Sequence, residues 1–324
     1  MNDLHVISTE QASRVLGWEL AIDAVRKALE SVAAKDSRLF PVQMMHGVDA
    51  SDLFAVKAGV ETQRGLVGFK FGGYWPGNAT SGLPPHSSTT VLLDPVTGYP
   101  RALLSGRIVN LYRTAAADAV AVEWLARKDA SVLGVIGGGH QAEFEIRAVA
   151  HVRALSLIKV FTRSRERGEW IRGRLADLGT EIRLTDAEEA VRGSDIVVTV
   201  TPSRAPIVRS EWVSEGAHIS AMGADTRGKQ ELHTDLVLRS KLFADEVQQS
   251  VTIGEFQHVC TPEGLPIGSL CPIGDVTRGV APGRTSDADT TIFDSSGIAI
   301  QDLAIADAVF SRALALGLTT RIDF

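Results

Sequence analysis

The stretch Ser131-Val-Leu-Gly-Val-Ile-Gly-Gly-Gly-His-Gln-Ala142 constrains the fold more than any other part of this 324-residue chain. Val132 to Ile136 predicts a strand buried on both faces, as in a parallel sheet. Ala142, Phe144, Ile146, Val149 and Ala150 then follow a helical period from Gln141 to Arg153. Between strand and helix lies the spacing GxGxxA, with Gly137, Gly139 and Ala142 at its fixed positions. Gly137 allows the tight turn, Gly139 lets a pyrophosphate approach the backbone, and Ala142 keeps helix against strand. His140 and Gln141 open the helix, whose positive end stabilises the anion. Strand, glycine turn and helix in this order predict a dinucleotide site.

The same alternation continues downstream. Short, apolar, β-branched strands are expected at 157–161, 195–201, 217–222 and 241–245, with helices at Arg165 to Leu178 and Ala187 to Val191. The first third reads differently. Residues 9–34 carry apolar side chains at helical spacing, with Ser8 or Thr9 as cap. Strands follow at Leu66 to Phe71, Ser88 to Leu93 and Tyr99 to Leu104, the last two joined by the turn Asp94-Pro-Val-Thr-Gly98. An antiparallel sheet with long outer strands invites pairing with a second subunit. The apolar helix Ile300 to Leu316 is expected to pack back onto this part. The fold class is therefore α/β: a Rossmann doubly wound parallel sheet over 113–304, plus a discontinuous α+β substrate and dimerisation domain over 1–112 and 305–324.

A net charge of -6 leaves no basic stripe with which to displace counterions, so nucleic acid is not an expected partner. No segment approaches a membrane span, and Met1-Asn-Asp-Leu-His lacks the basic and then apolar run of a leader. Cys260 and Cys271 form neither a disulfide framework nor a metal-ligand spacing. A cytoplasmic protein without a metal centre is expected.

An NAD site normally ends its second strand with a carboxylate for the ribose hydroxyls. Here Thr162, Arg163 and Ser164 stand there instead, with Arg165 and Arg167 behind them. Hydroxyls and guanidinium forks suit a 2′-phosphate, so NADP(H) is favoured over NAD(H); the alternative is a solvated basic helix start.

The segments Gly68-Phe-Lys-Phe-Gly-Gly-Tyr-Trp75, Leu92-Leu-Asp-Pro-Val-Thr-Gly98, Tyr112-Arg-Thr-Ala-Ala-Ala117, Gly223-Ala-Asp-Thr-Arg-Gly-Lys-Gln-Glu-Leu232 and Thr291-Ile-Phe-Asp-Ser-Ser-Gly-Ile-Ala-Ile-Gln-Asp302 join the glycine turn in a specific order. Together they resemble the ornithine cyclodeaminase/mu-crystallin family over nearly the whole chain. Gly72-Gly-Tyr-Trp-Pro76, Ala126-Arg-Lys-Asp129 and Asp245-Glu-Val-Gln-Gln-Ser250 are most similar to its imine-reductase (iminosuccinate reductase-like) branch. The resemblance implies a homodimer, a small imino- or amino-acid substrate, and chemistry at the carbon between nitrogen and carboxylate. It implies an NAD(P)H-dependent imino-acid reductase, with ornithine cyclodeaminase or a non-catalytic NADPH-binding protein as alternatives.

It also implies residue roles. Lys70 and Arg113 hold the substrate carboxylate; the bland readings are a snorkelling strand lysine and a surface arginine. Asp225 handles the cationic nitrogen, or else caps a turn. Thr114, Thr201, Met222 and Gly223 lie along the cofactor, and Ser296 and Gly297 form the loop over the nicotinamide. His86 either contacts substrate or is structural. Asp302 is expected to cap or pair within the last helix. Several members carry an arginine shortly after the segment equivalent to Phe40-Pro41-Val42; Gln43 follows it here, and Lys57 is the candidate replacement.

Overall fold

The structure, a computed structural model, describes residues 3–260 and 264–323. Met1 and Asn2, on which the expectation of no leader partly rests, lie outside them. The chain forms two compact units, Met1–Arg113 with Ile298–Phe324, and Thr114–Gly297. The second crossover thus falls ahead of the C-terminal helix rather than at residues 304/305. No helix among the described residues is long and apolar enough to cross a membrane.

In the first unit β1 (Asp3–Ile7) leads into α1 (Thr9–Ser13) and α2 (Trp18–Ala33) rather than one helix over 9–34. Ser8 closes a capping box with Gln11, and Gly17 restarts the helix as the cap of α2. Strands β2 (Ser37–Leu39), β3 (Gln43–His46), β4 (Leu53–Glu61), β5 (Leu66–Tyr74), β6 (His86–Leu93) and β7 (Pro100–Ser105) follow. The expected strands β5 to β7 run antiparallel, β4 adds a further antiparallel strand that sequence did not indicate, and β1 joins β7 in parallel, so the sheet is mixed. Its order is Thr320–Asp323, β1, β7, β6, β5, β4, β2, with β3 also on β4. The C-terminal helix, Ala299–Ala315, packs on α2 and across β4, β5 and β6. Alternation along β5 buries Leu66, Gly68 and Lys70, which places a lysine among residues meant for the core. Helix α3 (Gly106–Leu125) begins in this unit and brings Asn110 and Arg113 to it.

The second unit is the doubly wound sheet. Its chain order is β8 (Val132–Ile136), α4 (His140–Val152), β9 (Leu157–Phe161), α5 (Arg165–Arg174), β10 (Glu181–Leu184), α6 (Ala187–Val191), β11 (Ile196–Thr199), β12 (Arg204–Val208), β13 (His218–Ala221), β14 (Gln230–Leu232), α7 (Thr234–Leu238), β15 (Lys241–Ala244), α8 (Val247–Ile253), β16 (Leu270–Pro272), α9 (Ile273–Thr277) and β17 (Thr291–Asp294). The sheet runs β10-β9-β8-β11-β13-β17-β15-β16, every pair parallel, with β12 and β14 paired apart from it. Chain order reverses between β8 and β11, which is where open sheets of this kind bind ligands. Five strands of this unit, β10, β12, β14, β16 and β17, were not among those expected from sequence.

Candidate active site

At that reversal β8 runs into Gly137 at φ +146, where a Cβ would lie 2.8 Å from the Val200 carbonyl oxygen. Only glycine makes this turn without strain. Gly139 then N-caps α4, and the space where its Cβ would stand is open for 4 Å. An unfilled cradle over a helix N-terminus fits a pyrophosphate, so the residues present suit a dinucleotide. The His140 ring meets Trp170 edge-on at 4.9 Å, and Trp170 also carries the Arg167 guanidinium at 5.6 Å. Thr162 lies against Gly138, while Ser164 caps α5 by accepting from the Arg167 N–H. A cavity of about 710 Å³ opens here, with Thr162, Arg163, Arg165 and Arg172 over a floor of Val160 and Leu184.

The crest beyond β11 and β13 is tied by a group that sequence reasoning missed. The buried carboxylate of Glu231 accepts the Thr201 N–H at 2.7 Å, the Gly223 N–H at 2.9 Å and the Thr199 hydroxyl at 2.8 Å. A Cβ on Gly223 would stand 2.3 Å from the Thr201 carbonyl oxygen, so the two segments touch backbone to backbone. Met222 is buried beside them. Asp225 is half exposed and pairs with Lys229 at 2.5 Å. Ser296 and Gly297 are braced from β15 and α8. Gln249 Nε2 donates to Ser296 Oγ and the Gly297 carbonyl, and Asp245 Oδ2 accepts the Gly297 N–H.

The first unit holds a buried charge cluster. Lys70 Nζ donates to Asp302 Oδ1 and Asn110 Oδ1, both at 2.9 Å. Arg113 Nη2 donates to Asn110 Oδ1 at 2.8 Å, and its Nε lies 3.0 Å from Asp302 Oδ1 as an off-line ion pair. Lys70, Arg113 and Asp302 are 8%, 6% and 2% exposed, so water screens none of them. Two cations share one carboxylate, and Lys57 adds a third charge from its place opposite Lys70 on β4. Burial, partly offset by Asp302 and reinforced by Arg113 and Lys57, pulls the Lys70 ammonium down to about 8. Burial alone would raise the Asp302 carboxyl, but Arg113, Lys70 and Lys57 hold it below its ordinary value. Asp302 therefore pairs across to β5 and α3, not within its own helix. Thr114 directly follows Arg113 and opens the second unit.

Two candidates stand outside this cluster. Gln43 is exposed on β3, with its amide turned to the Pro41 carbonyl at 3.4 Å. His86 is exposed at the start of β6 and packs on Tyr74 at 4.6 Å.

A family-wide comparison matches residues 6–316 to the ornithine cyclodeaminase/mu-crystallin family. The chain belongs to that family. It is 36% identical over 319 residues to the iminosuccinate reductase of Paracoccus denitrificans, covering 98% of this chain and 99% of that one. The crystal structure of that reductase with NAD+ superposes with a TM-score of 0.95 over all of both chains. An alanine dehydrogenase of Archaeoglobus fulgidus is 34% identical over 320 residues, 98% of each chain. The Δ1-pyrroline-2-carboxylate reductase of Thermococcus litoralis, solved with NADH and L-proline, is 27% identical with a TM-score of 0.92, covering 98% of this chain and all of that one. The Rossmann-type fold expected from the glycine turn is thus the fold of these relatives.

Asn110 and Asp302 were also missed as site residues. Asn110 had a weak signal, since it lies one helical turn before Arg113 on the same face. Asp302 had none, because 232 residues separate it from Lys70.

Proposed function

We propose that this protein is an NAD(P)H-dependent imino-acid reductase that converts a small α-imino carboxylate to an L-amino acid. The carrying observation is the buried cluster in which Lys70 and Arg113 share Asp302. Its surplus positive charge calls for an anion, and a substrate carboxylate supplies one. The similar proteins are named for iminosuccinate, Δ1-pyrroline-2-carboxylate and alanine, each an imino or amino carboxylate. Arg113 gives one hydrogen of Nη2 to Asn110 and faces Asp302 with Nε, so a carboxylate would dock bidentately along the Nη1/Nη2 edge. That docking fixes the carboxylate plane and with it the adjacent imine carbon. The bound dinucleotide supplies the hydride. Asp225 is assigned to the cationic nitrogen. The Lys70 ammonium must keep its proton to hold the carboxylate. Therefore kcat/KM is expected to fall as pH rises through about 8, and Lys70→Arg should move that fall to higher pH.

NADP(H) is the preferred cofactor in this reading, although the relatives above were solved with NAD+ and NADH. Arg163 beside the cavity at the end of β9 supports it. Arg163→Ala should weaken NADPH binding about tenfold and leave NADH within about twofold, as measured by fluorescence titration. Equal loss for both would remove the preference. The protein is also proposed to be a homodimer, as the archaeal alanine dehydrogenase is. The exposed Phe40, Met44 and Met45 near one sheet edge support this.

The reading is tested by following NADPH and NADH consumption with oxaloacetate, pyruvate or glyoxylate plus ammonia, and with pyrroline-2-carboxylate. Consumption with one of these imines is expected. Ammonia release from ornithine without net reduction would replace the reading with a cyclodeaminase. Cofactor binding without turnover of any imine would replace it with a binding protein.

A further inference from the structure

We infer that Glu231 is a positioning residue for the nicotinamide half of the dinucleotide: its carboxylate sets the spacing of the two strand ends on which that half lies. The inference rests on reading the glycine turn as a dinucleotide site.

The ends of β11 and β13 outrun their ladder. Thr199 and Ala221 are the last paired residues, and the Met222 N–H to the Thr199 carbonyl, at 2.8 Å, is the last backbone bond of that ladder. Past it, Thr201 and Gly223 each present an N–H that no backbone carbonyl among the described residues accepts. The Glu231 carboxylate takes both, at 2.7 and 2.9 Å, and takes the Thr199 hydroxyl at 2.8 Å as well. All three are donors, so the carboxylate accepts throughout and bridges two strand ends that no longer bridge each other.

Glu231 is itself fixed from outside the main sheet. It lies on β14, which pairs with β12 alone. The Glu255 carboxylate accepts the Glu231 N–H at 3.0 Å and the Leu232 N–H at 2.7 Å. Both carboxyl groups are buried, so water does not stand in for these bonds. Lys229 adds a longer brace, donating to the Gly223 carbonyl at 3.2 Å.

Sheet order says what rests on those ends. On one side of β8 lies β9, and in this reading the cavity at its end, with Thr162 and Arg163, takes the adenosine half. On the other side lie β11 and β13. A dinucleotide whose pyrophosphate sits on the turn after β8 sends its second half that way. With neighbouring strands about 4.8 Å apart, the end of β13 stands roughly 10 Å from β8. Thr201 and Gly223 then floor the nicotinamide end of the crevice. Losing a tie to Glu231 leaves an N–H without an acceptor and frees the two ends to separate, while β8 and β9 keep their own bonds.

The test is calorimetric binding of NADH beside ADP-ribose, and of NADPH beside 2′-phospho-ADP-ribose, to wild type, Glu231→Gln and Gly223→Ala. The two ligands of each pair differ by the nicotinamide ring. Glutamine keeps the shape of Glu231, but its amide nitrogen meets a donor where the carboxylate accepted one. In Gly223→Ala the Cβ strikes the Thr201 carbonyl and the Glu231 carboxylate, forcing the ends apart from the other side. Both variants should bind ADP-ribose within about twofold of wild type and NADH about tenfold more weakly, with the same split for the phosphorylated pair. If either variant fails to fold, Thr199→Val exchanges only one donor hydroxyl for a methyl and should show the same split at about threefold. Parallel loss of both ligands of a pair, no loss of either, or a wild type that gains nothing from the ring would each overturn the role. A chain that bound none of the four ligands would sink the dinucleotide reading and this role with it.

Discussion

Replacing Arg113 by alanine is expected to abolish measurable imine reduction while leaving the affinity for the dinucleotide unchanged. Two charge-assisted hydrogen bonds to a carboxylate contribute roughly 1.5–3 kcal/mol each, so kcat/KM should fall by about 10²- to 10⁴-fold. The fold should survive, because Lys70 and Asp302 remain as a matched pair 2.9 Å apart when the guanidinium is gone. The dinucleotide turn lies in the other unit, on β8 and α4, and keeps its own supports. The measurement is steady-state turnover beside a fluorescence titration of NADH. Loss of both in parallel would mean that Arg113 serves the fold and not the substrate.

Removing Asp302 should act the other way, on stability before activity. In Asp302→Ala the two cations 8% and 6% exposed lose the carboxylate they share and keep the Asn110 oxygen as a shared acceptor. Breaking a buried ion pair from one side costs about 3–5 kcal/mol, because the surviving charge is left buried and unpaired. A fall in thermal midpoint of roughly 10 °C is expected by scanning calorimetry. Lys70 would also lose the partner that supports its charge, so its ammonium should titrate below the present value of about 8. Acetate should restore part of the midpoint by occupying the vacated anion position. Asp302→Asn keeps the shape and one acceptor oxygen and should lose less. A midpoint unmoved in the alanine variant would show that the cations find water, and the cluster would no longer explain a demand for substrate carboxylate.

Sequence revealed the elements whose physics is local. The run Val132 to Ile136 is apolar on both faces because β8 lies at the centre of a parallel sheet, and the glycines after it answer a backbone demand at Gly137. Edge strands carry no such mark. Glu181–Leu184 alternates polar and apolar as β10 at the sheet margin, and Leu270–Pro272 is three residues long at the other margin. The helical period over 9–34 was real, but Gly17 divides it, and periodicity does not register a change of axis. Lys70 and Arg113 were visible as cations in a half-buried strand and at a helix turn. Their partner Asp302 was not, since the contact is made only when the C-terminal helix closes over β5. Glu231 was invisible for the same reason: a carboxylate that ties strand ends is defined by what surrounds it after folding.

The central claim is a hydride delivered to the carbon beside a carboxylate held by Lys70 and Arg113. Its most direct test is reduction with nicotinamide cofactor deuterated at C4, with the amino-acid product read by mass spectrometry and NMR. The account predicts one deuterium on the α-carbon of the product, and none when Arg113 is alanine. Product or released ammonia with the label still on the cofactor would contradict it.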